Sequence, residues 1–207
     1  MADPNTEPTL EPTLNQNRWW NIPNALSLIR WLGSPSLIYF GWMQLPQAFV
    51  IVYLVLALTD WLDGKIAVRF RLQTTLGARL DSFADATLYV SVLLGGLALW
   101  HDRLIENKLW LVMACGSYGL ATLLGWLKFG QWPSYHTRTA KISWLFVMVA
   151  VGCLAWELPV WPLKLAAVSV TLANLESIAI TYRLRKWQTD VISVWVIKDG
   201  TPLHREP

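Results

Sequence analysis

The chain has 207 residues, a formal net charge of +3 and 54% hydrophobic residues, and only 15% of its residues are charged, against about 25% in an ordinary soluble domain. With fourteen tryptophans and a mean hydropathy of +0.36, it is neither a disordered chain nor a collagen nor a small disulfide scaffold. A soluble single domain of this size could not hide so much apolar surface from water, and the mild positive charge gives no reason to expect nucleic acid.

Residues 1–17 are polar and proline-bearing, with Glu-Pro-Thr-Leu repeated at Glu7–Leu10 and Glu11–Leu14. No basic stretch precedes an apolar run there, so the segment reads as a disordered cytosolic tail rather than a secretory leader. Six apolar segments follow, at about Ile22–Trp42, Pro46–Trp61, Gly77–Trp100, Leu109–Phe129, Ile142–Trp156 and Trp161–Tyr182. A spanning helix needs ~20 mostly apolar residues, which the third, fourth and sixth segments supply. The second is short and must borrow the stretch as far as Val68. The first contains Pro35 and starts on polar Asn21, Asn24 and Ser27, so part of it is expected along the interface before it turns inward.

The pattern predicts an all-α, polytopic membrane protein with about six transmembrane helices. Placing both termini in the cytosol leaves Arg103, Lys108 and Lys164 outside and the other fourteen basic residues inside, the bias that sets orientation. Trp42, Trp100, Trp110, Trp132, Trp156, Trp161 and Trp187 fall near segment ends, as an aromatic belt requires, while Trp126 and Trp144 are candidates for packing between helices. Cys115 and Cys153, both in apolar segments, read as small apolar side chains rather than a bridge. The organisation expected is a tail over 1–17, a membrane domain over 18–186 and a cytosolic C-terminal tail over 187–207. That last tail contains an alternating run, Val191–Ile197, suggestive of a short strand or hairpin.

Four aspartates stand out: Asp60 and Asp63 at the end of the second segment, Asp81 and Asp85 near the start of the third. An aspartate at the bilayer centre costs roughly 2.5–3.5 kcal/mol on insertion scales, so such groups call for partners. An interfacial position would account for one or two of them. The spacing asks for more. Asp60 and Asp63 are i, i+3 and Asp81 and Asp85 are i, i+4, so each pair shares a helix face. Gly64, Ala67 and Gly77 continue those faces with small residues, letting two helices, or a helix and a ligand, approach closely. Two facing carboxylate pairs suit hard divalent cations and would repel one another without them.

The stretch Asp60-Trp-Leu-Asp63-Gly64-Lys-Ile-Ala67-Val68, then eight residues, then Gly77-Ala-Arg-Leu-Asp81-Ser-Phe-Ala-Asp85 resembles the D-x-x-D-G-x-x-A-R…G-x-x-x-D-x-x-x-D signature of the CDP-alcohol phosphatidyltransferases. Seven fixed positions match over 26 residues, and the six-helix layout extends the resemblance to nearly all of residues 20–185. The family's arginine is Val68 here, with Arg69 next; a one-residue shift turns a helical side chain by about 100°.

The resemblance implies a metal-dependent transferase of phospholipid biosynthesis. A CDP-linked lipid would bind through two divalent cations, Mg²⁺ or Mn²⁺, held by Asp60, Asp63, Asp81 and Asp85. Asp85 would be the catalytic base, and Asp63, Gly64, Ala67, Gly77 and Arg69 would lie on the nucleotide. It further implies a homodimer in the cell membrane, surrounded by membrane lipid, with the active site facing the cytosol.

Asn21-Ile-Pro23-Asn24-Ala-Leu-Ser27-Leu-Ile-Arg30 is similar to the N-terminal stretch of phosphatidylglycerophosphate and cardiolipin synthase-type members. Pro23 suits a helix start and Asn21 a cap. Asn24, Ser27 and Arg30 share one face, either lining the nucleotide or anchoring an interfacial helix to lipid phosphates. Arg138 and Lys141, in the inner loop, suit an acceptor's phosphate or serve as positive-inside decoration. That loop lacks the G-K-x-K-T run of phosphatidylglycerophosphate synthases, which leaves the acceptor alcohol open. His136 has no partner at zinc-ligand spacing. Glu176 is an acid inside the sixth segment, either functional or held by a structural hydrogen bond or salt bridge. Three other functions stay open: transfer of a CDP-alcohol headgroup to diacylglycerol, a six-helix cation-dependent transporter, and a relative with little activity. The acids cluster in one helix pair, without the second matching cluster that a repeat-built transporter would carry.

Overall fold

The computed structural model of the chain describes residues 21–70, 72, 74–131, 135, 137–188, 191, 193–198 and 201–202. The tail over 1–17, Trp132 and His136 lie outside the described residues, as does the side chain of Val68.

The described chain is helical except for one short hairpin. In order come α1 (Ile22–Gly33), α2 (Pro35–Trp42), α3 (Pro46–Arg69), α4 (Thr75–Leu99), α5 (His101–Glu106), α6 (Lys108–Phe129), α7 (Arg138–Ala155) and α8 (Trp161–Arg183). The first apolar segment is therefore two helices. Pro35 has no N–H to give and its ring crowds the carbonyl one turn back, so the chain bends there. Ser34 Oγ turns back onto Arg30 O at 2.6 Å and Ser36 Oγ onto Gly33 O at 2.6 Å. Asn21 caps α1, its Oδ1 accepting from Asn24 N at 2.9 Å, and proline occupies the first turn. The second segment extends to Arg69, using the polar stretch past Trp61.

Among the described residues, four helices are long and apolar enough to cross a membrane: α4 over Leu76–Leu99, α6, α7 and α8. α3 matches them in length with 24 residues but carries Asp60, Asp63, Lys65 and Arg69 in its last ten. α1 and α2, with 12 and 8 residues, are each too short to span alone.

The helices form two groups. α1 packs on both α3 and α4, and α2 packs on α4; α6 and α7 pack on α8; the groups meet where α3 touches α7. Leu37, Phe49, Tyr53, Leu56, Leu88 and Val151 are buried at that junction, with Trp144 packed against them. Trp126, by contrast, is 52% exposed. Cys115 is exposed, Cys153 is half-buried, and the two are not bridged. α2 crosses α4 backbone to backbone: a Cβ on Gly41 would lie 2.5 Å from Gly95 O, and one on Gly95 would lie 2.5 Å from Leu37 O.

Among its described residues, the run Val191–Ile197 is strand only at Ile197. Val194–Val196 forms a 3₁₀ turn, and the hairpin comes just after it, with β1 (Ile197–Lys198) antiparallel to β2 (Thr201–Pro202). Val191 is buried with Ile180 and Leu184 of the α8 end, and Val194 and Ile197 pack against them.

Candidate functional site

The two aspartate pairs meet at one end of the first helix group. Asp60 and Asp63 sit on the last ten residues of α3, and Asp81 and Asp85 on the first half of α4, the latter about 15 Å in from the helix start at 1.5 Å per residue. α1 lies against both helices, so its buried face, made of Pro23, Asn24, Ser27 and Arg30, is placed between the pairs.

Arg30 is the centre of the site. Its side chain is completely buried, and its Nη1 donates to Asp60 at 3.0 Å, Asp81 at 2.9 Å and Asp85 at 2.5 Å, while Nη2 donates to Asp63. Ser27 Oγ reaches Asp63 and Asp81, both at 3.4 Å. A single guanidinium against four carboxylates leaves the cluster with three formal negative charges in excess. The buried Nε of Arg30 finds no acceptor among the described residues. Of the two roles open to the Asn24–Ser27–Arg30 face, the lipid anchor is overturned: all three residues are at most 6% exposed, with Ser27 and Arg30 turned to the aspartates and Asn24 against Gly77.

The oxygen donors suit a hard cation. One carboxylate oxygen from each of Asp60, Asp63 and Asp81 lies within 4.8 Å of the others, the donor set and spacing that a divalent cation with oxygen ligands takes. The cluster's charge excess points the same way.

The small residues divide into two kinds. An added Cβ on Gly64 would have no neighbour within 4 Å, so the space beside Asp63 is open. One on Gly77 would sit 2.4 Å from Asn24 Oδ1 and 2.8 Å from Thr74 Oγ1, so there the missing side chain admits α1. Asn21 Nδ2 donates to Leu72 O at 3.2 Å, fastening the start of α1 to the chain between α3 and α4. Ala67 is half-buried near the end of α3, and Arg69, its last residue, is exposed and outside the ion-pair cluster.

Arg138 and Lys141 are in a helix rather than a loop. Thr137 caps α7, accepting from Ala140 N at 3.2 Å, and both basic residues stand exposed in the first turns. Among the described residues no ion pair joins them to the aspartates. An apolar cavity of about 420 Å³ opens between α4 and α6, lined by Ala86 and Val90 on one side and Tyr118, Thr122 and Trp126 on the other. Tyr89, one turn beyond Asp85, meets Tyr118 edge-on at 5.6 Å across this gap. No local sequence pattern marks this cavity, because it depends on which helices diverge. A larger cavity, about 570 Å³, lies near the start of α3 and the end of α4, away from the aspartates.

A profile of the CDP-alcohol phosphatidyltransferase family matches residues 20–199. The chain is 29% identical over 187 residues to a Mycobacterium bovis protein named as a cardiolipin synthase, covering 79% of this chain and 88% of that one. It is 26% identical over 147 residues to a Salmonella choleraesuis protein named CDP-diacylglycerol–glycerol-3-phosphate 3-phosphatidyltransferase, covering 69% and 80%. A chloroplastic enzyme of that name from Oryza sativa is 29% identical over 147 residues, covering 65% of this chain and 44% of its own. No solved structure matches the chain.

Proposed function

The chain belongs to the CDP-alcohol phosphatidyltransferase family, and from that premise we propose that it moves a phosphatidyl group from CDP-diacylglycerol to an alcohol acceptor and releases CMP. The observation that carries this reading is the buried Arg30 flanked by four aspartates from two helices, a strongly acidic pocket with open space beside Gly64.

Asp60, Asp63, Asp81 and Asp85 would hold two divalent cations, Mg²⁺ or Mn²⁺. When bound, these supply Lewis-acid polarisation of the phosphoryl group and neutralise charge on the departing nucleotide. Asp85 takes the proton of the acceptor hydroxyl. The acceptor oxygen then bonds to the β-phosphorus, the bond from that phosphorus to the bridging oxygen breaks, and CMP leaves with the electron pair. Arg30 borders the nucleotide, its guanidinium holding the four aspartates in place. Asp63, Gly64 and Ala67 border the nucleotide on α3, with Arg69 at its outer edge. Asn24 and Gly77 close the α1–α4 side. Arg138 and Lys141 take the acceptor's phosphate, i, i+3 on one exposed face of α7.

In this reading α1 with α2, α3, α4, α6, α7 and α8 make six spans, both termini are cytosolic, and the membrane domain runs over 18–186 between tails at 1–17 and 187–207. The aspartate end faces the cytosol at the cell membrane, and the chain pairs as a homodimer. The family resemblance and the positive-inside bias support this.

The test is Asp85→Asn in a purified, Mn²⁺-supplied assay with CDP-diacylglycerol. Loss of a general base lowers turnover by roughly 10²–10⁴. Full CMP release by that variant would remove Asp85 from the role.

A further inference from the structure

Glu176 lies on α8, seven residues before its Arg183 end, and belongs to none of the machinery described above. Its carboxylate accepts three hydrogen bonds from two segments: from Thr139 Oγ1 in the first turn of α7, and from Ser193 Oγ at 2.8 Å and Val194 N at 3.3 Å beyond α8. Thr139 Oγ1 in turn pairs with the capping Thr137 Oγ1 at 2.9 Å. Among the described residues no basic side chain pairs with Glu176, so hydroxyls and a backbone N–H carry the whole interaction.

The surroundings close into one unit. Lys128 Nζ donates to the carbonyls of Thr181 and Tyr182, both at 2.9 Å, and Arg183 Nη1 donates to Val194 O at 3.3 Å. Tyr135 Oη meets Thr181 Oγ1 at 3.1 Å, and burial pushes that phenol above its usual range. Beneath them Ile180, Leu184 and Val191 are buried together. The start of α7, the end of α8 and residues 193–197 are thereby tied at one carboxylate.

We propose that Glu176 is a positioning residue for the acceptor side of the reaction: by holding Thr139 it fixes the roll of the first turn of α7, and with it the direction of Arg138 and Lys141. Thr139 is turned about 100° from Arg138 around the helix, so a bond there restrains rotation and leaves the basic face open. The effect is one-sided. α8 packs on α6, α7 and the 3₁₀ turn, whereas Arg30 and the four aspartates sit on α1, α3 and α4. The inference rests on Arg138 and Lys141 meeting the acceptor.

Initial rates of the full chain with Mn²⁺, CDP-diacylglycerol and whichever of glycerol 3-phosphate and phosphatidylglycerol supports turnover provide the test. Glu176→Ala is expected to raise the acceptor KM about tenfold, equivalent to ~1.4 kcal/mol, with the donor KM changed less than about twofold. Glu176→Gln, which keeps an acceptor oxygen for Thr139, is expected to recover part of that loss. Added to Arg138→Ala/Lys141→Ala, Glu176→Ala should raise the acceptor KM no further. Should Glu176→Ala fail to fold, Thr139→Val and Ser193→Ala read the same split. A parallel rise in both KM values, or a fall in kcat at unchanged acceptor KM, would overturn the proposal. If Arg138→Ala/Lys141→Ala leaves the acceptor KM unchanged, the basic-face reading fails and the inference falls with it. If that pair raises the acceptor KM and Glu176→Ala does not, only the positioning role fails.

Discussion

Replacing Arg30 with Gln removes the one cation from a cluster of four carboxylates while keeping a hydrogen-bonding side chain. Arg30 is fully buried, and its partners range from 6% exposed at Asp63 to 32% at Asp60. Breaking a buried ion pair by removing one partner costs about 3–5 kcal/mol, and the three partly exposed contacts share a single Nη1, so their contributions do not add in full. The expected loss in chelator is therefore about 3–5 kcal/mol, or a melting temperature lower by roughly 6–20 °C for a chain of this size. Divalent cations held by these aspartates would compensate, because they would compete with the guanidinium for the carboxylates. With that competition gone, Mn²⁺ should bind the variant about tenfold more tightly for each ~1.4 kcal/mol of competition removed. At 100 times its Kd the ion returns about 2.7 kcal/mol of stability. Tryptophan-fluorescence melting in chelator and in Mn²⁺, with Mn²⁺ affinity read by electron paramagnetic resonance, measures both quantities. An Arg30→Gln variant that melts with the parent in chelator, or binds Mn²⁺ more weakly, would refute the reasoning.

The two motif glycines should behave differently. Gly77→Ala forces a methyl group against Asn24 and Thr74 and should cost about 1–3 kcal/mol in a chelator melt. Gly64→Ala meets open space, so its melt should match the parent while the donor KM rises; equal stability losses would contradict the distinction. Val90→Trp narrows the apolar cavity between α4 and α6 and should raise the KM for long-chain CDP-diacylglycerol more than for a short-chain analogue. An equal effect on both would mean that the acyl chains lie elsewhere.

The aspartates were legible because i, i+3 and i, i+4 spacing assigns a face whatever the tertiary structure. Arg30 was legible only by half. Its spacing from Asn24 and Ser27 placed the three on one face, but only the wedging of α1 between α3 and α4 turned that face to the acids. The bend at Pro35 follows from proline's missing donor, and it divides a segment whose hydropathy alone reads as continuous. The six-residue α5 is too short to show a helical period, and the Gly41–Gly95 crossing depends on a pairing of α2 with α4 that no local pattern encodes. The start of α7 had a readable signal in Thr137, a good N-cap just before Arg138, although the polar loop composition masked it. Glu176 was recognisable as an acid in an apolar helix, but its partners lie 17 to 37 residues away in sequence.

The measurement closest to the central claim is CMP release from CDP-diacylglycerol by the purified chain, run with Mg²⁺ or Mn²⁺ and again in chelator, across glycerol 3-phosphate, phosphatidylglycerol, serine and inositol phosphate. CMP is expected to form with at least one acceptor, and chelator, Asp60→Asn or Asp81→Asn to abolish it. Absence of CMP from every CDP-lipid and CDP-alcohol with the metals supplied, or CMP release indifferent to chelator, would contradict that claim.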